Sequence, residues 1–169
     1  MPLTLQDDLG QTSTADAYIS VDEFYAHHSA RGNFPDAGKP DIERAIVAAT
    51  DYLDLRYKYL GSKLNGRDQA TQWPRSNARD RDGSSVQGIP AEVKMATAEY
   101  ALSAISGPLI PDLAEDKSGR QIASKETKFG PITNKVSYVG RGQSQFKSYP
   151  KADRMLVNLL NPGGMIELG

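Results

Sequence analysis

His27 and His28 are the only imidazoles in this 169-residue chain, and cysteine is absent. Imidazole is the side chain best suited to move a proton near neutral pH or to ligate a metal. Adjacent helix residues point about 100° apart, so the two rings do not converge easily on one ion, and no H-E-x-x-H spacing occurs. The expectation is a packed His28 and a solvated His27. Without cysteine there are no disulfides, no thiolate chemistry and no Cys-based zinc sites. Asp80-Arg81-Asp82-Gly83 has the look of the middle of a calcium loop. Aligning its Gly with the loop's turn, however, puts Ala78 at the first ligand and Ile89 at the bidentate one. Gly140-Arg141-Gly142 runs into Gln143, Ser144 and Gln145, an incomplete dinucleotide fingerprint that follows a strand pattern instead of opening a helix. There is no phosphate loop and no nucleophile elbow. The chain is expected not to be an enzyme, with no catalytic residue, no metal and no cofactor.

The groups best suited to binding lie in residues 61–88, GSKLNGRDQATQWPRSNARDRDGSSVQG. A connection of this length without regular structure is uncommon unless it serves binding. Trp73-Pro74-Arg75 is its most distinctive part. A lone Trp there is an anchor, folded over its own helices or inserted into a partner, because its burial removes about 200 Å² from water. Pro74 fixes the neighbouring backbone, and the Arg75 fork could meet a carboxylate or a phosphate. The bland alternative for Arg75 is a surface ion pair worth less than about 1 kcal/mol. Arg67, Trp73, Pro74, Arg75 and Arg79 are therefore interface candidates.

Charge is unevenly laid out beneath a net −1. Residues 1–54 hold ten acids against three bases, 55–81 seven bases against two acids, and 135–169 five bases against two acids. Such a layout suits either nucleic acid on the basic parts or an acidic face of one copy against a basic face of the next. Single-strand binders pair basic grooves with several stacking aromatics, and Trp73 is the only aromatic between Tyr59 and Tyr100.

The elements that must position these residues are mainly helical. Ser20 and Glu23 have capping-box spacing, with Ile19 and Phe24 at staple positions, and Val21, Phe24, Tyr25 and His28 recur at helical spacing until Gly32. A second helix is expected from about Asp41 to Leu60, capped by Asp41 and stopped by Gly61, with Ile42, Ala45, Ile46, Ala49 and Leu53 as its apolar stripe. Ala45, Ala48 and Ala49 invite close approach of another helix, while Tyr52, Tyr57 and Tyr59 widen the face. Pro90 opens a third, with Val93, Ala96, Tyr100 and Ala104 on one face, ended by Gly107 and Pro108. Gln121–Phe129 and Ile132–Val139 read as two strands around Gly130-Pro131. Pro150 precedes a short helix with Met155, Leu156, Leu159 and Leu160, ended by Asn161-Pro162-Gly163-Gly164. The fold class expected is mainly α, a helical bundle with a β-hairpin and an extended C-terminal segment. Residues 1–110 would hold the bundle, an N-terminal arm and the long 61–88 loop, and residues 111–169 the hairpin, short helix and tail. An isolated hairpin is marginal in water, so Ile132, Val136 and Tyr138, with Leu156, Leu159 and Leu160, join the interface candidates. No stretch approaches the roughly 20 apolar residues of a membrane span, and the acidic MPLTLQDDLG does not resemble a secretory signal. The expectation is a protein made and kept in the cytoplasm.

The order of motifs is similar to one family. Ala15-Asp16-Ala17-Tyr18-Ile19-Ser20-Val21, then Ala48-Ala49-Thr50-Asp51-Tyr52-Leu53, Gln72-Trp73-Pro74-Arg75, Asp82-Gly83 and Ile89-Pro90-Ala91-Glu92-Val93 follow one another. Ser124-Lys125-Glu126, Gly130-Pro131-Ile132 to Tyr138, and Leu156-Val157-Asn158-Leu159-Leu160 complete the series. It resembles the phage head-to-tail adaptor family labelled DnaT-like single-stranded DNA-binding. The resemblance implies a structural connector in the virion, a homo-oligomeric, commonly dodecameric ring. Its partners would be the portal protein and a tail or neck (stopper or terminator) protein, with double-stranded genomic DNA passing through without specific binding. The rival expectation is a single-stranded DNA-binding protein of phage replication.

Overall fold

The computed structural model describes residues 2–110, 122–128, 133–138 and 147–165, with side chains described for 2–110 and 147–162. The chain is mainly α, as the sequence indicates. It divides into two compact units, residues 1–109 with 148–166, and residues 110–147 with 167–169.

In the first unit, helix α1 spans Val21–Ser29 and begins with the expected capping box: Ser20 Oγ accepts from Glu23 N–H, and Glu23 accepts from Ser20 N–H. Ile19 and Phe24, the staple pair, are both buried. Helix α2 spans Lys39–Arg56 and buries Ile42, Ala45, Ile46, Ala49 and Leu53 along one stripe. Full burial of each large aliphatic contributes about 2 kcal/mol. Its start differs from expectation, because Gly38 is the N-cap and Asp41 lies within the first turn, paired with Arg44. Ala48 is exposed, so the close approach involves only Ala45 and Ala49. Helix α3, Ala91–Ile105, follows Pro90 and packs on α1 and α2 through Val93, Ala96, Tyr100 and their neighbours.

The second helix also ends earlier than Leu60. At Tyr57 the backbone turns extended, and strand β1, Tyr57–Tyr59, buries both tyrosines while Lys58 faces solvent. Two short strands follow in the loop, β2 (Ser62–Lys63) and β3 (Arg75–Ser76), paired antiparallel with Ser62 opposite Ser76. The segment 61–88 is thus partly regular. In the second unit, β4 (Ile122–Lys128) and β5 (Thr133–Tyr138) form the expected antiparallel hairpin, within a residue or two of the predicted ends.

The C-terminal part departs from the expected boundary after residue 110. Helix α4, Pro150–Leu156, belongs to the first unit and packs on α3. A 3-10 turn, Val157–Leu159, leads into strand β6, Leu160–Met165, which pairs antiparallel with β1, Tyr59 opposite Leu160. Asn161-Pro162-Gly163-Gly164 therefore belongs to a strand and not to a terminating loop. Its strand character comes from a tertiary partner, since Pro and Gly have little intrinsic preference for it. Leu60 N–H donates to Leu159 O at 2.9 Å and Asn161 Nδ2 to Tyr59 O at 2.8 Å, which fixes the junction.

Gly61 stops no helix but makes the turn from β1 to β2. Its φ is +72°, and a Cβ there would stand 2.3 Å from Ser76 O. Gly32 shares the left-handed conformation at φ +69°, with nothing within 4 Å. Gly32→Ala should cost about 1 kcal/mol for backbone strain alone, and Gly61→Ala about 2–4 kcal/mol because a backbone clash is added. Urea unfolding of both variants measures the difference, and equal losses would show that the approach to Ser76 has no energetic weight.

Candidate nucleic-acid interface

Residues 61–88 carry the exposed cations Arg67, Arg79 and Arg81 around a buried anchor, Trp73. Trp73 is 0% exposed, with its ring edge-on to Tyr59 at 5.5 Å. Of the two expected placements it takes the intramolecular one. Around it the backbone is satisfied mostly by side chains. Trp73 N–H donates to Tyr18 Oη at 3.1 Å, and Tyr18 O–H donates to Asp54 Oδ1 at 2.5 Å. Gln72 N–H donates to Asp54 Oδ2 at 2.9 Å, and Thr71 O–H to Trp73 O at 2.7 Å. Gln69 Nε2 donates to Thr71 O at 2.9 Å and Pro74 O at 3.0 Å, while Gln6 Nε2 donates to Thr71 Oγ1 at 3.0 Å. Trp73 Nε1 has no acceptor among the described residues.

The candidates in this segment separate into two groups. Trp73 and Pro74 are buried and cannot be interface residues of the folded chain. Arg75 is also turned inward. Its Nε donates to Leu60 O at 2.7 Å, Nη1 to Gln72 Oε1 at 2.9 Å and Nη2 to Gly61 O at 2.8 Å. The fork meets carbonyl oxygens, not a carboxylate or a phosphate, so its role is to bind the loop to itself. Arg67, in the 3-10 turn Gly66–Asp68, and Arg79 are exposed as an interface requires. Arg79 lends one N–H to Gly83 O at 2.9 Å. Asp80 closes its own turn by accepting from Asp82 and Ser84 N–H.

The remaining candidates do not join this surface. Leu156 and Leu159 are buried in the first unit, at 0% and 2% exposure, as core. Leu160 is half-buried opposite Tyr59. Val136 and Tyr138 lie on β5, opposite Lys125 and Ile122, with side chains outside the described residues, and Ile132 lies outside them altogether.

Sequence reasoning did not single out as interface candidates Lys58, just before this segment, and Arg81, within it, both exposed. Lys58, Arg67 and Arg81 have no carboxylate partner within ion-pair distance among the described residues. Strand alternation was the available signal for Lys58, between two tyrosines that turn inward. A groove of about 590 Å³ runs along β3, lined by Asp8, Leu9, Leu64, Arg75, Asn77 and Gln87 among others. Among the described residues it holds no aromatic side chain to stack a base. The imidazoles lie elsewhere: His28 is buried with Nε2 3.1 Å from Ala98 O, and burial lowers its pKa. His27 is not solvated as expected, because its side chain is 8% exposed and its Nε2 lies 2.8 Å from Glu99 Oε1.

Asp54 is the electrostatic centre of the anchor. Burial pushes its carboxyl up to about 6, against the opposing effect of the Tyr18 and Gln72 hydrogen bonds. The Tyr18 hydroxyl is pushed well up by burial and by Asp54. An unfolded Asp titrates near 3.9. The folded state therefore holds the extra proton between about pH 4 and pH 6, and this group's stabilisation is complete below that window and lost as pH rises through it. The slope approaches about 1.4 kcal/mol per pH unit at most. Relative to the wild type, Asp54→Asn should gain stability as pH rises from 4.5 to 7, whatever its absolute cost. Denaturant midpoints across that range check this, and a difference independent of pH would mean that Asp54 does not hold the proton.

Over residues 1–168 the chain matches the family model described as "Putative DnaT-like ssDNA binding protein". No curated protein and no solved structure matches it. The family match overturns the connector reading drawn from motif order. It names single-stranded DNA as ligand, and the head-to-tail role in a virion and the portal docking implied by that resemblance are withdrawn.

Proposed function

The chain belongs to this family of DnaT-like ssDNA binding proteins, and on that premise we propose that it binds single-stranded DNA along the outward cations Lys58, Arg67, Arg79 and Arg81. The family match carries the reading, and the placement of charge supports it. Arg67, Arg79 and Arg81 lie in the segment that Trp73 anchors and Lys58 just before it, so less ordering of the loop backbone is left for binding to require. The contact is electrostatic. Trp73, the aromatic best placed in sequence to stack on bases, is enclosed by protein, and affinity must come from phosphate neutralisation with release of counterions. Little preference among base sequences follows. Self-association belongs to the same proposal, because neighbouring copies on one strand raise each other's effective concentration. The proposal is of a binding protein that carries out no reaction.

Fluorescence anisotropy with labelled oligo-dT tests this. With four phosphates neutralised, log K should fall against log salt with a slope of about −3, each phosphate contributing about −0.7. Replacing the four cations by Ala should flatten the slope and weaken binding at least about tenfold at low salt. Arg75 is unsuitable for this purpose, because its loss would loosen the loop itself. An absence of binding at about 50 mM salt, where phosphate contacts are strongest, would overturn the proposal.

A further inference from the structure

We propose that His27, His28 and Glu99 form a binding site for a divalent transition-metal ion of the zinc class, joining α1 to α3. One nitrogen of each ring and one carboxylate oxygen of Glu99 lie within 4.8 Å of one another. The rings stand nearly perpendicular, with centroids 4.9 Å apart, so their divergence along the helix does not separate them. Two imidazoles and a carboxylate suit zinc and leave a fourth position open for water. Ligand bonds of about 2.0–2.2 Å place the donor atoms of a tetrahedral ion about 3.3 Å apart. The widest separation must therefore close by about 1.5 Å, within reach of small side-chain rotations.

The surroundings favour a cation. Glu99 is 8% exposed, and a carboxylate so enclosed needs positive charge or hydrogen bonds close by. At present Lys151 of α4 supplies the charge, with Nζ 2.5 Å from Glu99 Oε1, while His27 Nε2 contacts the same oxygen at 2.8 Å. The Lys151 side chain is 62% exposed. A compact ammonium on a flexible stem can swing into water when a divalent ion takes its place. The opposite side of the site is rigid: His28 is 1% exposed, packs edge-on to Phe24 at 4.6 Å and is held by the Ala98 carbonyl. Partners of that kind orient the histidines of metal sites. Lys151 is thus the competitor of the ion, and the site does not rest on the DNA reading.

Because the chain has two histidines, their imidazole proton signals in an NMR spectrum report the site directly. Titrating the intact protein with ZnCl2 should shift both sets together at one equivalent. Co²⁺ should give the visible absorption of a four-coordinate ion. Lys151→Ala should tighten Zn²⁺ binding about tenfold, equivalent to about 1.4 kcal/mol, and Glu99→Gln should weaken it by at least as much. The exposed Lys151 is replaced without disturbing the core, so that arm stands even if Glu99→Gln folds poorly. Imidazole signals unmoved by excess Zn²⁺ in both wild type and Lys151→Ala would overturn the proposal. So would metal binding that Glu99→Gln leaves unchanged.

Discussion

A segment with little regular structure can be held in place only if its backbone polar groups find partners, and here side chains supply most of them. The indole of Trp73 provides the apolar burial that draws residues 69–75 inward. That burial would strand the amides and carbonyls on either side of it, at a cost of about 1–3 kcal/mol each if left unpaired. Tyr18, Asp54, Gln69 and Thr71 prevent this, the first two from the N-terminal arm and α2, while Gln6 of the arm donates to the Thr71 hydroxyl. Arg75 completes the closure by donating to the carbonyls of Leu60 and Gly61. The N-terminal arm, α2 and the loop are therefore interdependent.

The C-terminal return follows the same logic. Asp153, on α4, accepts from Tyr57 O–H at 2.7 Å and from the Tyr100 hydroxyl, and Arg56 lies 4.0 Å away. Tyrosines on β1 and α3 thus bury their rings while directing their polar tips to one carboxylate, which fixes α4 against the bundle. Once α4 is held, Leu160 begins opposite Tyr59, and β1 acquires the partner it needs. A three-residue strand ending a helix would have little reason to exist without β6.

What was legible in the sequence was local. The capping box at Ser20, the stripe from Ile42 to Leu53, Pro90 at the head of α3 and the hairpin all depend on residues near one another along the chain. What escaped was set by distant partners. Tyr57 leaves the helix because residues 160–165 wait to pair with it, and Gly-Pro-rich sequence becomes strand for the same reason. The burial of His27 depends on Glu99, which stands far along the chain. Arg75 could not be assigned from charge alone, since a guanidinium serves carbonyls as readily as phosphates and only the surrounding backbone decides which. Lys58 and Arg81 were visible as charges, but their exposure was not.

The division between inward and outward groups limits the kind of recognition the surface can perform. Base recognition requires either stacking rings or donors and acceptors fixed at base edges. The network that could have supplied fixed donors, Gln69, Thr71 and Arg75, is consumed in holding the loop, and the indole is consumed in anchoring it. The groups left at the surface include the long, flexible cationic side chains of Lys58, Arg67, Arg79 and Arg81, whose interaction with a phosphate depends little on the base attached to it. Internal saturation of this network and the weak base preference of the proposed binding go together. Each hydrogen bond that makes the segment rigid removes a group that could otherwise have read sequence.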